Sequence, residues 1–244
     1  MKSPLRLAHA SDIHLDTDYF GGPENIASRD VCRAVFAKLL DEITRQQPDL
    51  FLLPGDLFDS NRASDETIQW AMDKLAALPY PVVMIPGNHD CLEEGSIYHR
   101  FDFDSLPNVD MLSDEAGEMR ELPELGVRVW GKGMVAHTPK FRPLDGIPAP
   151  SEDWWNVGMG HGIYVARGGA TFRSSPVEAK QIHDSGYHYI ALGHHHALLD
   201  VSANGTAAFY SGAPVPISRE DDGTFLTIDL VAGRSPHINI RSVD

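Results

Sequence analysis

Short apolar runs alternate with one-sided helical patterns over the first hundred residues. Between the runs, apolar residues recur from Val31 to Ile43 and from Ile68 to Leu78 with the spacing of one helix face. Ser64 is placed to cap the second of these helices. This order predicts parallel strands joined by right-handed crossovers. Three runs have the length of a buried strand: 5–10, 50–53 and 82–85.

The pattern changes after the third strand. Strand-like runs now follow one another without full helices between them, at 109–112, 127–130 and 157–160. One further helix is predicted from Pro176 to about Ser185, because proline is favoured in a first helical turn. A strand at 187–192 follows it. The chain closes with three runs predicted to pair as antiparallel strands: 207–210, 225–230 and 237–240.

This pattern predicts one domain over residues 1–244, an α/β half followed by a β-rich half. Two loops stand out in it. Gly21-Gly22-Pro23 marks one, and the proline-rich stretch 138–153 is long enough to suggest a functional loop. Trp154 and Trp155 follow it. They form either part of a lid over the site or an aromatic pair packed at the edge of the core.

Polar side chains follow five of the predicted strands, at the end where ligands bind in open α/β sheets. Alternation in an extended chain predicts that Asp12 and His14 face the same way, and likewise His194 and His196. Seven of the residues at these ends are nitrogen or oxygen donors: Asp12, His14, Asp56, Asn88, His161, His194 and His196. Together they are predicted to hold two divalent ions, with manganese favoured and iron or zinc as alternatives.

Two cations held close together need an anionic bridge, and Asp56 is the candidate because it stands alone after Gly55. Such a pair of ions activates a bridging hydroxide, which would attack a phosphate ester. His89 would then protonate the leaving alkoxide as general acid. Asp90 is predicted to orient the His89 ring. Asp59 either orients His14 or caps a turn.

The net charge limits the choice of substrate. With 35 acidic and 20 basic residues, the formal charge is -15, which disfavours a surface that tracks a polyanion such as DNA. Between Lys132 and Lys180, however, six basic residues face four acidic ones. This segment is either the side from which a phosphate approaches or a chance surplus in a solvated loop.

Other features of composition are ordinary. The two cysteines provide neither a disulfide framework nor a thiolate metal site. No apolar run has the length of a membrane span and no signal peptide is evident, so a cytoplasmic location without membrane contact is expected.

The motifs resemble those of the calcineurin-like metallophosphoesterase superfamily, and the resemblance spans about residues 5–242. The segments around residues 11–15, 55–59 and 210–214 look most like the SbcD-type DNA repair exonucleases. The segments that carry the resemblance are Ser11-Asp12-Ile13-His14-Leu15, Gly55-Asp56-Leu57-Phe58-Asp59, Gly87-Asn88-His89-Asp90, Gly160-His161, Gly193-His194-His195-His196 and Tyr210-Ser211-Gly212-Ala213-Pro214.

The resemblance implies an α/β, four-layer metallophosphoesterase fold, a two-sheet β-sandwich flanked by helices. It divides the ligands between two ions that share Asp56. Asp12, His14 and His196 would complete one set, and Asn88, His161 and His194 the other. The phosphoesterase domain alone is expected here, without the DNA-capping and ATPase-docking regions of SbcD-type nucleases.

Three interpretations follow. The first is a metal-dependent hydrolase of phosphomonoesters or phosphodiesters. The second is a DNA exonuclease subunit that is reduced or needs a partner, with an ATPase partner left open. The third is a non-catalytic scaffold, which the complete ligand set disfavours.

Overall fold

The computed structural model describes residues 2–17, 29–169, 175–215 and 223–243. The predicted Gly21-Gly22-Pro23 loop lies outside these ranges. Fourteen strands are formed within them: β1 (Leu5–His9), β2 (Leu50–Pro54), β3 (Val82–Ile85), β4 (Val109–Met111), β5 (Glu118–Leu122), β6 (Val127–Gly131), β7 (Trp155–His161), β8 (Ile163–Val165), β9 (Pro176–Glu178), β10 (Tyr189–Gly193), β11 (Leu198–Asp200), β12 (Ala207–Ser211), β13 (Thr224–Leu230) and β14 (His237–Ser242).

The described helices are α1 (Arg29–Arg45), α2 (Asp65–Ala76), α3 (Ile97–Arg100) and α4 (Ala179–Ser185), with a short 3-10 turn at Phe103–Ser105. Ser64 caps α2 as predicted, because its side chain accepts a hydrogen bond from the backbone of Thr67. Among these helices, none is both long and apolar enough to cross a bilayer.

The strands form two six-stranded sheets and a small pair. The first sheet has the order β14-β13-β1-β2-β3-β4, the second the order β11-β12-β10-β7-β6-β5, and β8 pairs with β9. The strands β1 to β4 are parallel, and so are β6, β7, β10 and β12. Parallel strands end at one edge of their sheet, so each sheet brings several strand ends together.

The two sheets pack face to face over a shared apolar core. Leu52 and Ile228 of the first sheet are buried there with Val157 and Ala191 of the second. The outer face of the first sheet packs against α1 and α2, and α4 packs on the second sheet through Ile182. The fold is therefore the predicted four-layer sandwich of two sheets flanked by helices.

The predicted helix start at Pro176 is wrong. Pro176 begins strand β9, which lies beside β8, and the helix begins only at Ala179. Glu178 and Gln181 form a capping box that sets this start, because each side chain bonds to the other residue's backbone. Proline fits both contexts, so it did not decide between them.

The tail differs from the prediction in one strand, and Trp155 follows the second of the two alternatives, packing in the core. β12 pairs parallel with β10, and only its other side, facing β11, is antiparallel. Trp155 is buried at the start of β7, where its Nε1 donates to the carbonyl of Ser3. This is the opposite end of the strand from His161. Trp155 is therefore a core residue and not part of a lid.

Candidate metal centre

The chain leaves the extended conformation directly after β1. Asp12 and His14 have φ values of 58° and 54°, so the predicted alternation along a strand is not what aligns them. The backbone N–H groups of Ile13 and His14 instead donate to the carbonyl oxygen of Asp56, at 2.8 and 3.1 Å. This left-handed turn brings the Asp12 and His14 side chains to the loop that carries Asp56.

Three ligand atoms meet where this turn faces the loop after β10. Atoms of Asp12, His14 and His196 lie within 4.8 Å of one another. The Nε2 atoms of His14 and His196 are 3.3 Å apart, and His14 Nε2 lies 3.9 Å from Asp56 Oδ2. His14 Nδ1 contacts Oδ1 of Asp59 at 3.2 Å, so Asp59 orients this ring, the first of its two predicted roles.

A second group forms around His161. Its Nδ1 lies 2.9 Å from the Pro54 carbonyl oxygen, which can only accept, so Nδ1 carries the hydrogen and Nε2 presents a lone pair. That Nε2 lies 3.0 Å from Asn88 Oδ1 and 3.2 Å from Asp56 Oδ2. His194 Nδ1 reaches the same Asn88 oxygen at 2.7 Å.

These contacts bring all seven predicted ligands into two groups that share Asp56. In the second group, three acceptor atoms converge on one point, which is repulsive unless a cation or a proton lies among them. Burial opposes a proton on His161, but the Asp56 carboxylate more than offsets it and raises the pKa of His161 to about 9. Buried mixed nitrogen and oxygen donors of this kind fit divalent manganese, iron or zinc.

The other side chains of the centre support the ionisation states that cations require. Burial favours a neutral Asp56, yet His161 and His14 hold the pKa of this carboxyl well below its usual range. Burial, together with the nearby His161, lowers the pKa of His194 to about 3. The ionised Asp56 and the neutral His194 are thus in the states in which such groups bind a metal, and His161 would lose its proton when a cation binds.

Two glycines let the loops approach this closely. A side chain at Gly87 would place its Cβ 2.1 Å from Oδ1 of Asp56, and one at Gly193 would lie 2.0 Å from the Pro54 carbonyl oxygen. Real side chains do not tolerate such contacts, so the glycines of these two motifs are required by packing.

His89 lies at the rim of the first group. Its backbone N–H donates to Asp56 Oδ1 at 2.8 Å, and its ring lies edge-on to His14 with centroids 4.6 Å apart. Its side chain is 41% exposed, unlike the ligands around it. Its Nδ1 contacts the Asp59 carbonyl oxygen at 2.8 Å, so Asp59, not Asp90, holds the ring.

Asp90 differs from its predicted role. Its carboxylate accepts hydrogen bonds from the backbone of Gly87 at 2.7 Å and of Phe58 at 3.1 Å, and from the Tyr98 hydroxyl at 2.7 Å. Burial and the nearby Asp56 raise the pKa of this carboxyl. Asp90 therefore fixes the shape of the loop that presents Asn88 and His89.

Sequence reasoning did not identify two residues that contact the ligands. Ser11 is buried and its Oγ donates to Asp12 Oδ2 at 2.5 Å, while the backbone of His194 donates to both oxygens of that carboxylate. His137, which belongs to none of the motifs, lies edge-on to His194 with ring centroids 5.5 Å apart. Ser11 is part of the segment Ser11-Asp12-Ile13-His14-Leu15 and precedes Asp12 directly, which was a usable signal. His137 sits in a loop and offers none.

The sequence signature of calcineurin-like phosphoesterases matches residues 5–198, most of the chain. The chain belongs to the calcineurin-like phosphoesterase family. This phosphoesterase is 28% identical over 224 residues to the uncharacterized metallophosphoesterase YhaO of Bacillus subtilis, covering 87% of this chain and 53% of that protein.

Two further relatives are nucleases or repair proteins by name. The DNA double-strand break repair protein Mre11 of Methanopyrus kandleri is 25% identical over 232 residues, covering 88% of this chain and 49% of the relative. One component of the SbcCD nuclease of Staphylococcus epidermidis is 27% identical over 90 residues, 35% of this chain and 23% of the relative. The chain spans about half the length of YhaO and of the Methanopyrus Mre11.

A solved structure confirms the fold. TT1561 of Thermus thermophilus aligns with a TM-score of 0.63 at 11% identity, over 99% of this chain and 100% of that one. With the family established, the phosphoesterase is placed among hydrolases of phosphoester bonds. The resemblance inferred from the motifs is thus confirmed at the level of the family.

Proposed function

We propose that this phosphoesterase hydrolyses phosphomonoesters or phosphodiesters with two divalent cations bound at the centre. The observation that supports this most strongly is that Asn88 Oδ1 and Asp56 Oδ2 lie 3.0 and 3.2 Å from the same atom, His161 Nε2. When the His161 ring is neutral, these three buried acceptors face one another favourably only around a cation. The same carboxylate faces His14, which links the two groups.

The candidate ligands form two sets, one for each cation. Asp12, His14 and His196 would hold one cation, and Asn88, His161 and His194 the other, with Asp56 between them. When bound, such a pair supplies Lewis acidity that stabilises the charge on a phosphate group and acidifies a coordinated water. Manganese suits this donor set, with iron and zinc as alternatives.

His89 is the residue proposed to hand a proton to the leaving oxygen. It is the most exposed of the histidines around the first group, so it faces the side from which substrate arrives. Its Nδ1 is occupied by the Asp59 carbonyl oxygen, which leaves Nε2 to carry the proton that is transferred. Asp59 thereby positions two rings, those of His14 and His89.

The test is hydrolysis of p-nitrophenyl phosphate and of bis(p-nitrophenyl) phosphate by purified protein, with and without manganese. Manganese-dependent release of p-nitrophenol, absent in Asp56→Asn, is expected. Comparing the two esters then separates monoester from diester preference. Failure to cleave either ester, by protein that holds two manganese ions in elemental analysis, would overturn the proposal.

A DNA exonuclease is the second candidate, and the similarity to Mre11 of Methanopyrus kandleri favours it. The formal charge of -15 weighs against it, because phosphate contacts by cationic side chains dominate DNA affinity. Linear DNA incubated with manganese and the same preparation tests it. Absence of DNA binding at low ionic strength, where such contacts are strongest, would eliminate this candidate.

A further inference from the structure

The loop between β6 and β7 reaches the metal centre and carries a surplus of positive charge. We call residues 132–142 the basic loop. Its His137 lies edge-on to His194, with the ring planes at 65°. Residues 136 and 138, on either side of His137, line a cavity of about 310 Å³. Because consecutive Cα atoms are 3.8 Å apart, this cavity lies within a few ångströms of the residue that contacts the metal centre.

Two backbone hydrogen bonds hold the basic loop, at Met134 and at Thr138. The Met134 carbonyl oxygen accepts a hydrogen bond from the backbone of Leu92 at 2.7 Å, two residues after Asp90. The Thr138 carbonyl oxygen accepts from the backbone of Ser175 at 2.9 Å. Met134 is also fully buried. The cavity is therefore held at a set position relative to the loop that carries Asn88 and His89.

Three cationic side chains line this cavity, together with two carboxylates, those of Glu115 and Asp145. Arg142 already pairs with Glu178, outside the cavity. The remaining cations are Lys132 and Lys140. Within the described ranges, neither lysine makes an ion pair, and Lys132 contacts only the face of an aromatic ring, with its Nζ 5.5 Å from the Phe141 centroid. Two ammonium groups are thus available to an anion.

We propose that this cavity binds a second phosphate group of the substrate. This inference rests on the proposed function. The scissile phosphate lies at the metal centre, and the second is bound by Lys132 and Lys140. The substrate class is a small phosphate ester that carries a further phosphate, such as a nucleoside bisphosphate. His137 lies between the two positions.

Size and charge favour a compact second phosphate over a long polyanion. A cavity of about 310 Å³ is at the lower limit of small-molecule pockets, which start near ~300 Å³. The formal charge of -15 disfavours a chain of phosphates that runs on over the surface. The two lysines of the basic loop therefore suit one additional phosphate close to the metal centre.

The test compares two competitive inhibitors of p-nitrophenyl phosphate hydrolysis by the manganese-loaded protein. Adenosine 3′,5′-bisphosphate is expected to have an inhibition constant about tenfold below that of adenosine 5′-monophosphate, the size of one or two charged hydrogen bonds at a half-exposed site. In Lys132→Gln/Lys140→Gln, this ratio should approach one. Raising the ionic strength should shrink the ratio in the wild type.

Lys38→Gln, on the exposed side of α1, serves as the charge-matched control and should keep the wild-type ratio. Equal inhibition by the two nucleotides in the wild type would overturn the inference, while continued ester hydrolysis would leave the proposed function standing. A short single-stranded oligonucleotide is the third inhibitor. Tighter inhibition by it than by the bisphosphate, equally in the lysine variant, would also overturn the inference in favour of a surface that binds a polymer.

Discussion

His161 Nε2 lies 3.2 Å from Oδ2 of Asp56, and both side chains are 1% exposed. The two residues come from different sheets, since Asp56 follows β2 and His161 ends β7. The candidate metal centre therefore lies between the two sheets and takes residues from both. Ions bound there would connect the sheets, and removing them should weaken the packing as well as the chemistry.

Manganese should accordingly raise the melting temperature of the protein. Saturation at about one hundred times the dissociation constant stabilises by ~2.7 kcal/mol, which corresponds to a rise of about 5–10 °C for a chain of this size. Asp56→Asn should lose most of this rise, because it removes the charge shared by both groups. Differential scanning calorimetry with and without EDTA measures it.

Asp41→Asn is the matched control, since Asp41 is an exposed carboxylate on α1. It should show the full manganese-dependent rise. An Asp56→Asn protein that keeps the same rise and two bound ions would exclude Asp56 as the bridge.

The clustering of the seven candidate ligands was predictable because it follows from topology. Parallel strands end at one edge, so polar residues after successive apolar runs had to meet. The route by which they meet was not predictable. Asp12 and His14 adopt left-handed backbone conformations, stabilised by the loop of Asp56 more than 40 residues away in sequence. Local pattern does not contain that contact.

The roles of single acidic residues were also out of reach. Asp90 follows His89 directly, which suggested a contact between neighbours, but its oxygens bind Gly87, Phe58 and Tyr98. For Asp59, orientation of His14 was one of two predicted roles, and only the folded structure decides between them. Which buried donor binds a given carboxylate depends on tertiary packing. The edge strand β5 was also not predicted, because only its last residue is buried and its sequence therefore lacks an apolar pattern.

His89→Ala should keep both metal ions but lose about 10²–10⁴-fold in turnover, the usual contribution of a positioned acid. The expectation rests on its exposed ring at the rim of the centre. Steady-state kinetics with an aryl phosphate, together with elemental analysis, separate the two effects. His99→Ala, on the exposed side of α3, is the control and should match the wild type.

A loss of metal from His89→Ala would assign this residue to the ligands. The geometry makes that outcome informative, because ligand atoms of His14, Asp56 and His89 also lie within 4.8 Å of one another.

Ser11→Ala should weaken metal binding about 10–100-fold, as is usual when a residue that orients a ligand is lost. The Ser11 hydroxyl donates to Asp12 Oδ2 at 2.5 Å and is the one side chain seen to fix that oxygen in the described ranges. Titration calorimetry with manganese gives the affinity directly. Ser211→Ala is the matched control: Ser211 is equally buried and 3.2 Å from the Ser11 oxygen. Equal affinities in the two variants would refute a positioning role for Ser11.

Acidification should destabilise the fold through His9. Its ring is fully buried between the sheets, with Nδ1 2.7 Å from the Tyr189 hydroxyl, and burial lowers its pKa to about 3. In the unfolded chain the pKa is near 6.5, so between pH 6.5 and 3 the unfolded state binds a proton that the folded state does not. The contribution of His9 to the free energy of unfolding is therefore fully present above pH 6.5 and falls as the pH drops, by up to about 1.4 kcal/mol per pH unit.

His9→Gln should lower the free energy of unfolding at pH 7 but flatten its dependence on pH between pH 6.5 and 5, measured by urea unfolding in EDTA. His99→Gln, with its exposed ring, should keep the wild-type slope, and an unchanged slope in His9→Gln would show that other groups control the acid sensitivity.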